Sequence, residues 1–510
     1  MSDRVDLDVP ESDSFDHRAF FGARQLLVVS NRQPYRHEIE DGDMAVDRPI
    51  GGLTASLDPM MQGTGGTWIA WGDGDADEGA VDGDDSVGVP PEDPSYALRR
   101  VWLSDEQVEG YYYGFSNQVL WPLCHSSLST VHAEESHWRQ YRRTNEQFAA
   151  AVIEEAGERP VIWLQDYHLA LAPWFVRREL GSDPLLMQFW HIPWPSWDVY
   201  RACPHQDELV RGLLGNDVLG FHVHRYATNF LECVDGLLDD ASINWRSKEV
   251  SYRGSLTSVE AIPMGVPAGK IRHKAATYQG HEFTQFKQSH DIDPETRIAV
   301  GVDRLDYSKG IPERLRALER LWERHPEWRG TLTYVQKGTE SRSKIPAYRS
   351  LQEEIDDEVD RINERFGTDD WQPIVRVSGY LSQRELYGIY RHADLVIVSP
   401  IRDGLNLVAS EFAAAQVDLD GVLVLSTQTG IHDLLGEYAV SVSPYDVGGF
   451  AGRLDDALRM SPGERRSRME QLRRTVAVND LQAWLRKNAD AARAVGRPQS
   501  PTVQGTGPRR

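Results

Sequence analysis

Short, uniformly apolar runs alternate along this chain with longer amphipathic stretches. The runs are QLLVVS (25–30), VIWLQ (161–165), LLMQFW (185–190), VLGFHV (218–223), IAVGV (298–302), TLTYVQ (331–336), IVRVSGY (374–380), LVIVS (395–399) and VLVLS (422–426). A strand that is apolar at successive positions is buried on both faces. When helical stretches separate such strands, they form parallel sheets covered on both sides. The pattern therefore predicts an α/β fold of two doubly wound domains. The runs pause around Pro263–Pro267 and resume at Ile298, which sets an N-terminal domain at 24–265 and a C-terminal domain at 266–494. The acidic segment 1–23 reads as a disordered arm and the Gly/Pro-rich 495–510 as a disordered tail. No repeat of solenoid length interrupts the scheme.

Strand after strand ends in a polar cluster. VVS leads into Asn31–Arg32, WLQ into Asp166–Tyr167–His168, and QFW into His191–Ile192–Pro193. In the second half VGV leads into DRLDYSKG (303–310), YVQ into Lys337–Gly338, and VIVSP into IRDGLN (401–406). Open α/β sheets bind ligands beyond the carboxyl ends of their strands, so six such clusters predict one cleft drawn from both halves. Within it, Arg304 and Lys309 are spaced to reach one diphosphate, as a fork and a point charge. RDGLNLVASE (402–411) puts Asp403 and Gly404 in a loop and then opens a helix whose first N–H groups face the cleft. Glu411, inside that helix, is a candidate acceptor for ribose hydroxyls. The glycines of RPIGGL (48–53) precede another helix and could admit an anion. GTGG (63–66) lacks the spacing of a dinucleotide fingerprint, and there is no Walker A motif.

With 510 residues the chain is too long for one ordinary core. Its formal charge of −23 argues against generic nucleic-acid binding, which needs a basic face. Only eight of its 55 basic residues are lysine. An acidic, lysine-poor surface of this haloarchaeal-like kind suits a high-salt cytoplasm, where counter-ions screen self-repulsion. No apolar run is long enough for a membrane span and the N-terminus lacks a signal h-region, so a cytoplasmic location without membrane contact is expected. Cys124, Cys203 and Cys233 are far apart with no CxxC, which suggests free buried thiols. The histidines show no metal-ligand spacing, and no metal or other cofactor is expected. His222 and His224, in HVH, are expected on alternate sides of a strand in structural roles. The acidic stretch 73–94 carries no base and reads as a solvated surface loop, with calcium binding a weaker alternative because EF-hand spacing is absent.

The ordered motifs VVSNR (28–32), GGL (51–53), GTWIAW (66–71), YYGFSNQVLWPLCH (112–125), QDYHL (165–169), HIPWP (191–195), LLGNDVLGFH (213–222), DRLDYSKG (303–310), SRSKIPAY (341–348), RDGLNLVASE (402–411) and GVLVLS (421–426) resemble the trehalose-6-phosphate synthase family over roughly residues 24–490. The resemblance implies a GT-B arrangement of two facing Rossmann-like domains. It also implies transfer of glucose, with retention, from a nucleotide-glucose to glucose 6-phosphate. In that picture the acceptor attacks from the front face and the departing phosphate takes its proton. Arg304 and Lys309 would hold the donor diphosphate. Asp403 and the segment Gly404, Leu405, Asn406, Leu407 and Val408 would hold the glucose hydroxyls and phosphate, and Glu411 the ribose. Gly52 would approach the donor phosphate from the other domain, and His191 would contact the donor glucose near its 6-hydroxyl. Asp166 would orient the acceptor hydroxyl, Tyr112 and Trp121 would line the acceptor pocket, and Arg32 and Arg342 would clamp the acceptor phosphate. The implied catalytic set is Asp166, His191, Arg304, Lys309 and Asp403.

The sequence departs from the family pattern at Gln165, where many members have His, at Trp194, where Phe is usual, at Gln206, where Arg is expected, and at PMGVP (263–267). No phosphatase motif of the DxDxT type follows. The residues alone leave other readings open: a glucosylglycerol-phosphate synthase on the same fold, a non-catalytic sugar-phosphate sensor, or a pyridoxal-phosphate-dependent phosphorylase. The donor base and the oligomeric state, including a homo-oligomer, also stay open.

Overall fold

The computed structural model describes residues 24–48 and 52–495. The expected arm (1–23), the tail beyond Val495 and Pro49–Gly51 of the first glycine loop lie outside the described residues. Two sheets organise the chain. The first contains β1 (Leu26–Ser30), then, after a separate two-stranded hairpin of β2 (Arg36–Glu40) and β3 (Asp43–Asp47), β4 (Thr67–Trp71), β5 (Ser86–Val89), β6 (Tyr96–Val101), β7 (Val161–Gln165), β8 (Leu185–Phe189), β9 (Val218–Phe221), β10 (Ala241–Asn244), β11 (Glu249–Tyr252) and β12 (Ser255–Ala261). Their spatial order is β10-β11-β12-β9-β8-β7-β1-β4-β6-β5. The central strands pair in parallel, while β5 and the β10–β12 meander close the two edges antiparallel. These edge strands are short and partly polar, so they carry no continuous apolar run.

The second sheet holds β13 (Arg297–Arg304), β14 (Leu332–Thr339), β15 (Ile374–Val377), β16 (Leu395–Val398), β17 (Val422–Ser426) and β18 (Val440–Val442). Its order is β15-β14-β13-β16-β17-β18, and every pair is parallel. Each strand buries its apolar residues under flanking helices, as continuous apolar runs require. The last helix, Leu481–Val495, returns to the first sheet, where Trp484 stacks on Trp163 with ring centroids 5.2 Å apart.

The topology places the cleft. In the first sheet the order reverses between β1 and β7, and in the second between β13 and β16. Such reversals open a crevice at the carboxyl ends of the strands. Arg32 follows β1 and Asp166 follows β7. Arg304 ends β13, with Lys309 just after it, and Asp403 lies in the loop after β16.

Two expectations are corrected. The acidic stretch 73–94 is not simply a solvated loop: it contains the helix Asp77–Ala80 and β5, and Asp77 is fully buried. Asp77 pairs with the fully buried Arg100 at 2.8 Å and accepts from the backbone N–H of His37 at 2.8 Å. One acid of the run is therefore consumed in anchoring the hairpin, a role that a count of charges cannot reveal. HVH does not lie across a strand. The strand ends at Phe221, His222 is buried beyond it, and His224 begins the helix His224–Leu237.

Candidate functional site

On the first half, Tyr112 is carried by a π-helix, Val108–Leu120, an unusual length of wide turn. Asn117 donates to the Tyr112 carbonyl five residues back (2.7 Å). Arg32 reaches from the end of β1 and donates to the Tyr112 hydroxyl at 3.1 Å. Burial pushes that phenol up, but Arg342 and Arg32 beside it prevail and hold it below its ordinary value. Trp121, at the start of the next helical turn, lies under the guanidinium of Arg342 at 4.0 Å and that of Arg304 at 5.3 Å. Both arginines come from the second half of the chain. A cation over an indole face is attracted by the ring quadrupole and keeps its in-plane N–H groups available.

Arg342 is the most heavily engaged of these cations. It donates to Asp306 at 3.2 Å, to the Tyr348 hydroxyl at 2.6 Å and, across the cleft, to the Tyr167 hydroxyl at 3.2 Å. Its backbone is left-handed, with φ 48°, a conformation uncommon for arginine. Burial alone would raise the Asp306 carboxyl, yet Arg342, Arg304 and Lys309 together hold it down at about 2.

Asp166 sits in a strained backbone conformation, φ 69° and ψ 179°. Its carboxylate accepts from the N–H groups of Tyr167 (3.0 Å) and His191 (3.2 Å). Burial nevertheless dominates and pushes it up to about 6. The His191 ring is held well below its ordinary range by burial and by His222, so it is neutral. It lies 2.9 Å from the Gln165 side-chain oxygen.

On the second half, Lys309 pairs with Asp403 at 2.6 Å, and Asn406 donates to the same carboxylate oxygen at 3.1 Å. Burial alone would raise the Asp403 carboxyl, but Lys309, His125 and Asn406 together hold it below its ordinary value, and the group stays ionised. Asn406, also at positive φ (85°), caps the helix Leu407–Ala415 by accepting from the Ala409 N–H at 3.4 Å. The N–H groups of Leu407 and Val408, at the positive end of the helix, have no backbone partner among the described residues, as an anion site requires. Glycine is demanded at position 404, where a Cβ would come within 2.3 Å of the His191 carbonyl. The two halves therefore meet backbone to backbone. Gly52 likewise abuts Leu407, where a Cβ would fall 2.7 Å from its side chain. Glu411 is half-buried with no compensating cation among the described residues, and burial raises it to about 7.

The structure thus gathers Arg32, Tyr112, Trp121 and Arg342 into one cluster. Asp166 and His191 lie on adjacent strand ends, and Lys309, Asp403 and Asn406 form a third group. Several buried polar atoms around them find no protein partner among the described residues: Trp121 Nε1, Gln165 Nε2, His168 Nε2, Arg342 Nε and Arg402 Nε. A buried polar atom without a partner calls for one, and a ligand is one that could supply it. Sequence reasoning gave no individual role to Tyr167, Asp306 or Tyr348, which hold Arg342 in place. All three lie inside quoted motifs, but only the fold brings them together. Of the family departures, Trp194 is fully buried and donates to Cys233 Sγ at 3.3 Å, so the larger ring fills core volume. Among the described residues one histidine–carboxylate group could reach a single ion: His325, Glu327 and Asp455. Arg459 already bonds both carboxylates. The three cysteines are free and buried, and no described helix is long and apolar enough to cross a membrane.

Comparison with known proteins converges on one group. The family model for glycosyltransferase family 20 matches residues 24–494. The trehalose-6-phosphate synthase of Mycolicibacterium smegmatis is 35% identical over 508 residues, covering 97% of each chain. A solved E. coli structure with bound UDP-2-fluoro glucose superimposes with a TM-score of 0.81 at 31% identity, covering 92% of this chain and 99% of that one. A UDP-forming alpha,alpha-trehalose-phosphate synthase from Burkholderia xenovorans, in complex with glucose-6-phosphate, gives 0.81 at 29% identity, covering 92% and 100%.

Proposed function

The chain belongs to glycosyltransferase family 20, and from that membership we propose that it is a retaining glucosyltransferase that moves glucose from UDP-glucose to glucose 6-phosphate and releases trehalose 6-phosphate. The observation that carries the acceptor reading is the cluster of Arg32, Tyr112 and Arg342 beside Asp166. Arg32 donates to Tyr112 and has no other side-chain partner among the described residues, and Arg342 likewise retains an unpartnered Nε. Two guanidiniums and a phenol facing one point suit a phosphate better than a neutral polyol.

In this reading Arg304 and Lys309 receive the donor diphosphate. Lys309 has three N–H donors and gives one to Asp403, while Arg304 offers its in-plane edge while stacked on Trp121. The loop Gly404–Asn406 and the N–H groups of Leu407 and Val408 add fixed dipoles where negative charge grows as the diphosphate leaves. Gly52 approaches the same phosphate from the first half. Asp403 holds donor glucose hydroxyls and His191 the 6-hydroxyl. Glu411, kept uncompensated by burial, accepts from the ribose. Asp166 orients the acceptor hydroxyl toward the anomeric carbon, with Tyr112 and Trp121 as pocket walls. Closing the two halves excludes water and aligns donor with acceptor. No step calls for a metal. The acidic, lysine-poor composition supports a halophilic protein working in a cytoplasm, with the product serving as an osmoprotectant.

The test is a product assay with UDP-glucose and glucose 6-phosphate, with and without a chelator. Trehalose 6-phosphate formed at an unchanged rate in EDTA is expected. Loss of activity restored by a divalent ion would reject the metal-free mechanism. A product formed only with glycerol 3-phosphate would reject the acceptor.

A further inference from the structure

Gln165 is one of the positions at which this chain departs from its family pattern, and its surroundings suggest what it does. It ends β7 opposite Phe189 of β8, and His191 follows two residues later. The Gln165 side chain is completely buried, its oxygen 2.9 Å from His191 Nε2. Its amide nitrogen has no partner among the described residues. A glutamine present only to fill this space would be a poor choice. Either orientation of the amide leaves one of its own polar atoms unpaired, a cost that an apolar side chain of the same length would not carry. The bond to His191 is what the glutamine provides.

A neutral imidazole carries one N–H, and the hydrogen bond made by one nitrogen fixes the role of the other. The groups facing the ring are few. Phe189 lies 4.8 Å away, His222 5.2 Å and Trp484 6.4 Å between centroids. Asp166 takes the His191 backbone N–H and leaves the ring alone. With the amide oxygen toward the ring, as the contact has it, Gln165 can only accept, which puts the proton on Nε2 and a lone pair on Nδ1. His191 is half-buried, and no described residue bonds Nδ1.

We infer that Gln165 is a positioning residue: its side-chain oxygen holds His191 as the Nε2–H tautomer, so that Nδ1 accepts a hydrogen bond from the donor sugar's 6-hydroxyl. This rests on the reading above that His191 meets that hydroxyl. The tautomer makes His191 a reader of hydroxyl donors. A 6-deoxy sugar offers nothing to the lone pair and is rejected because a buried acceptor is left unpaired.

The experiment compares kcat/KM for UDP-glucose and UDP-6-deoxyglucose in the wild type, Gln165→Met and Gln165→Glu, with thermal melts of each. The wild type should prefer UDP-glucose by about tenfold or more. Gln165→Met should melt no lower than the wild type yet lose most of that preference through a raised donor KM, with the acceptor KM unchanged. Gln165→Glu, whose carboxylate still only accepts, should keep the preference when assayed at pH 9, where the imidazole is neutral. A folded Gln165→Met that discriminates as the wild type does would overturn the inference. So would a folded Gln165→Glu that has lost discrimination at pH 9, since the amide nitrogen would then be the group His191 needs. A wild type indifferent to the 6-hydroxyl would refute the reading of His191 itself, and the inference with it.

Discussion

Asp306, fully buried, and Glu411, half-buried, are both carboxyls that follow strands of the second sheet, yet their surroundings drive them apart. Asp306 lies among Arg342, Arg304 and Lys309 and is held near 2. Glu411 has no cation to balance burial and is raised to about 7. The first region is a largely complete ion network: carboxylate, guanidinium and two phenols bond one another before any substrate arrives, with the Arg342 Nε left without a partner among the described residues. The second is left short of partners. Such ion networks fix geometry, whereas unbalanced buried groups are held ready for a ligand that completes them. In the reading proposed above, the acceptor end of the cleft is shared between both halves, and the ribose end belongs to the second half alone.

The largest effect that would break this contrast is expected between the two regions. Replacing Arg304 or Lys309 by alanine removes a donor aimed at the departing diphosphate and should lower kcat by roughly 10²–10³-fold. The acceptor KM should move far less. Steady-state kinetics with each substrate varied will show whether the loss falls on kcat.

Glu411 gives a smaller effect with a distinctive pH signature. Its folded value lies above the ordinary 4.5, so the folded chain favours the protonated form. Its contribution to stability is greatest at low pH and is lost as pH rises through about 7. Glu411→Gln should therefore be more stable than the parent at pH 8, by roughly 1–3 kcal/mol, with the gap shrinking toward pH 5. The same variant should bind the donor more weakly. Urea melts at the two pH values, with a donor titration, test both halves of the statement.

The smallest effect per residue is diffuse. With a net charge of −23, screening should raise the melting temperature and activity steadily as salt rises into the molar range. An unchanged melting temperature in dilute buffer would contradict halophily and leave the chemistry untouched.

The alternation of apolar runs and helices made the central parallel strands of both sheets legible, because strands buried on both faces must be apolar throughout. β4, β6 and β18, also parallel, are not among those runs, β6 because it alternates and β18 because it is three residues long. The antiparallel edges were not legible, since β5 and the β10–β12 meander lack that signature. Candidate residues at strand ends were found for the same topological reason. What the sequence could not display were pairings set by the fold, such as Asp77 with Arg100, Arg342 with Tyr167 from the opposite half, and Gln165 with His191. Each joins residues on different strands or domains. The HVH segment was misjudged because a strand end and a helix start fall within three residues.

Arg32 and Arg342 offer the most direct test of a phosphorylated acceptor held between the two halves. Arg342→Ala strands the buried Asp306 carboxylate and should cost about 3–5 kcal/mol of stability, whereas Arg32 is exposed and makes one bond, so its loss should leave the fold intact. The decisive measurement is a ratio taken within each variant: kcat/KM for glucose 6-phosphate over that for glucose. Both variants should lose most of that preference, mainly through a raised acceptor KM, while the donor KM barely changes. If Arg32→Ala and Arg342→Ala keep the wild-type ratio, the phosphate lies elsewhere and the acceptor site is misplaced.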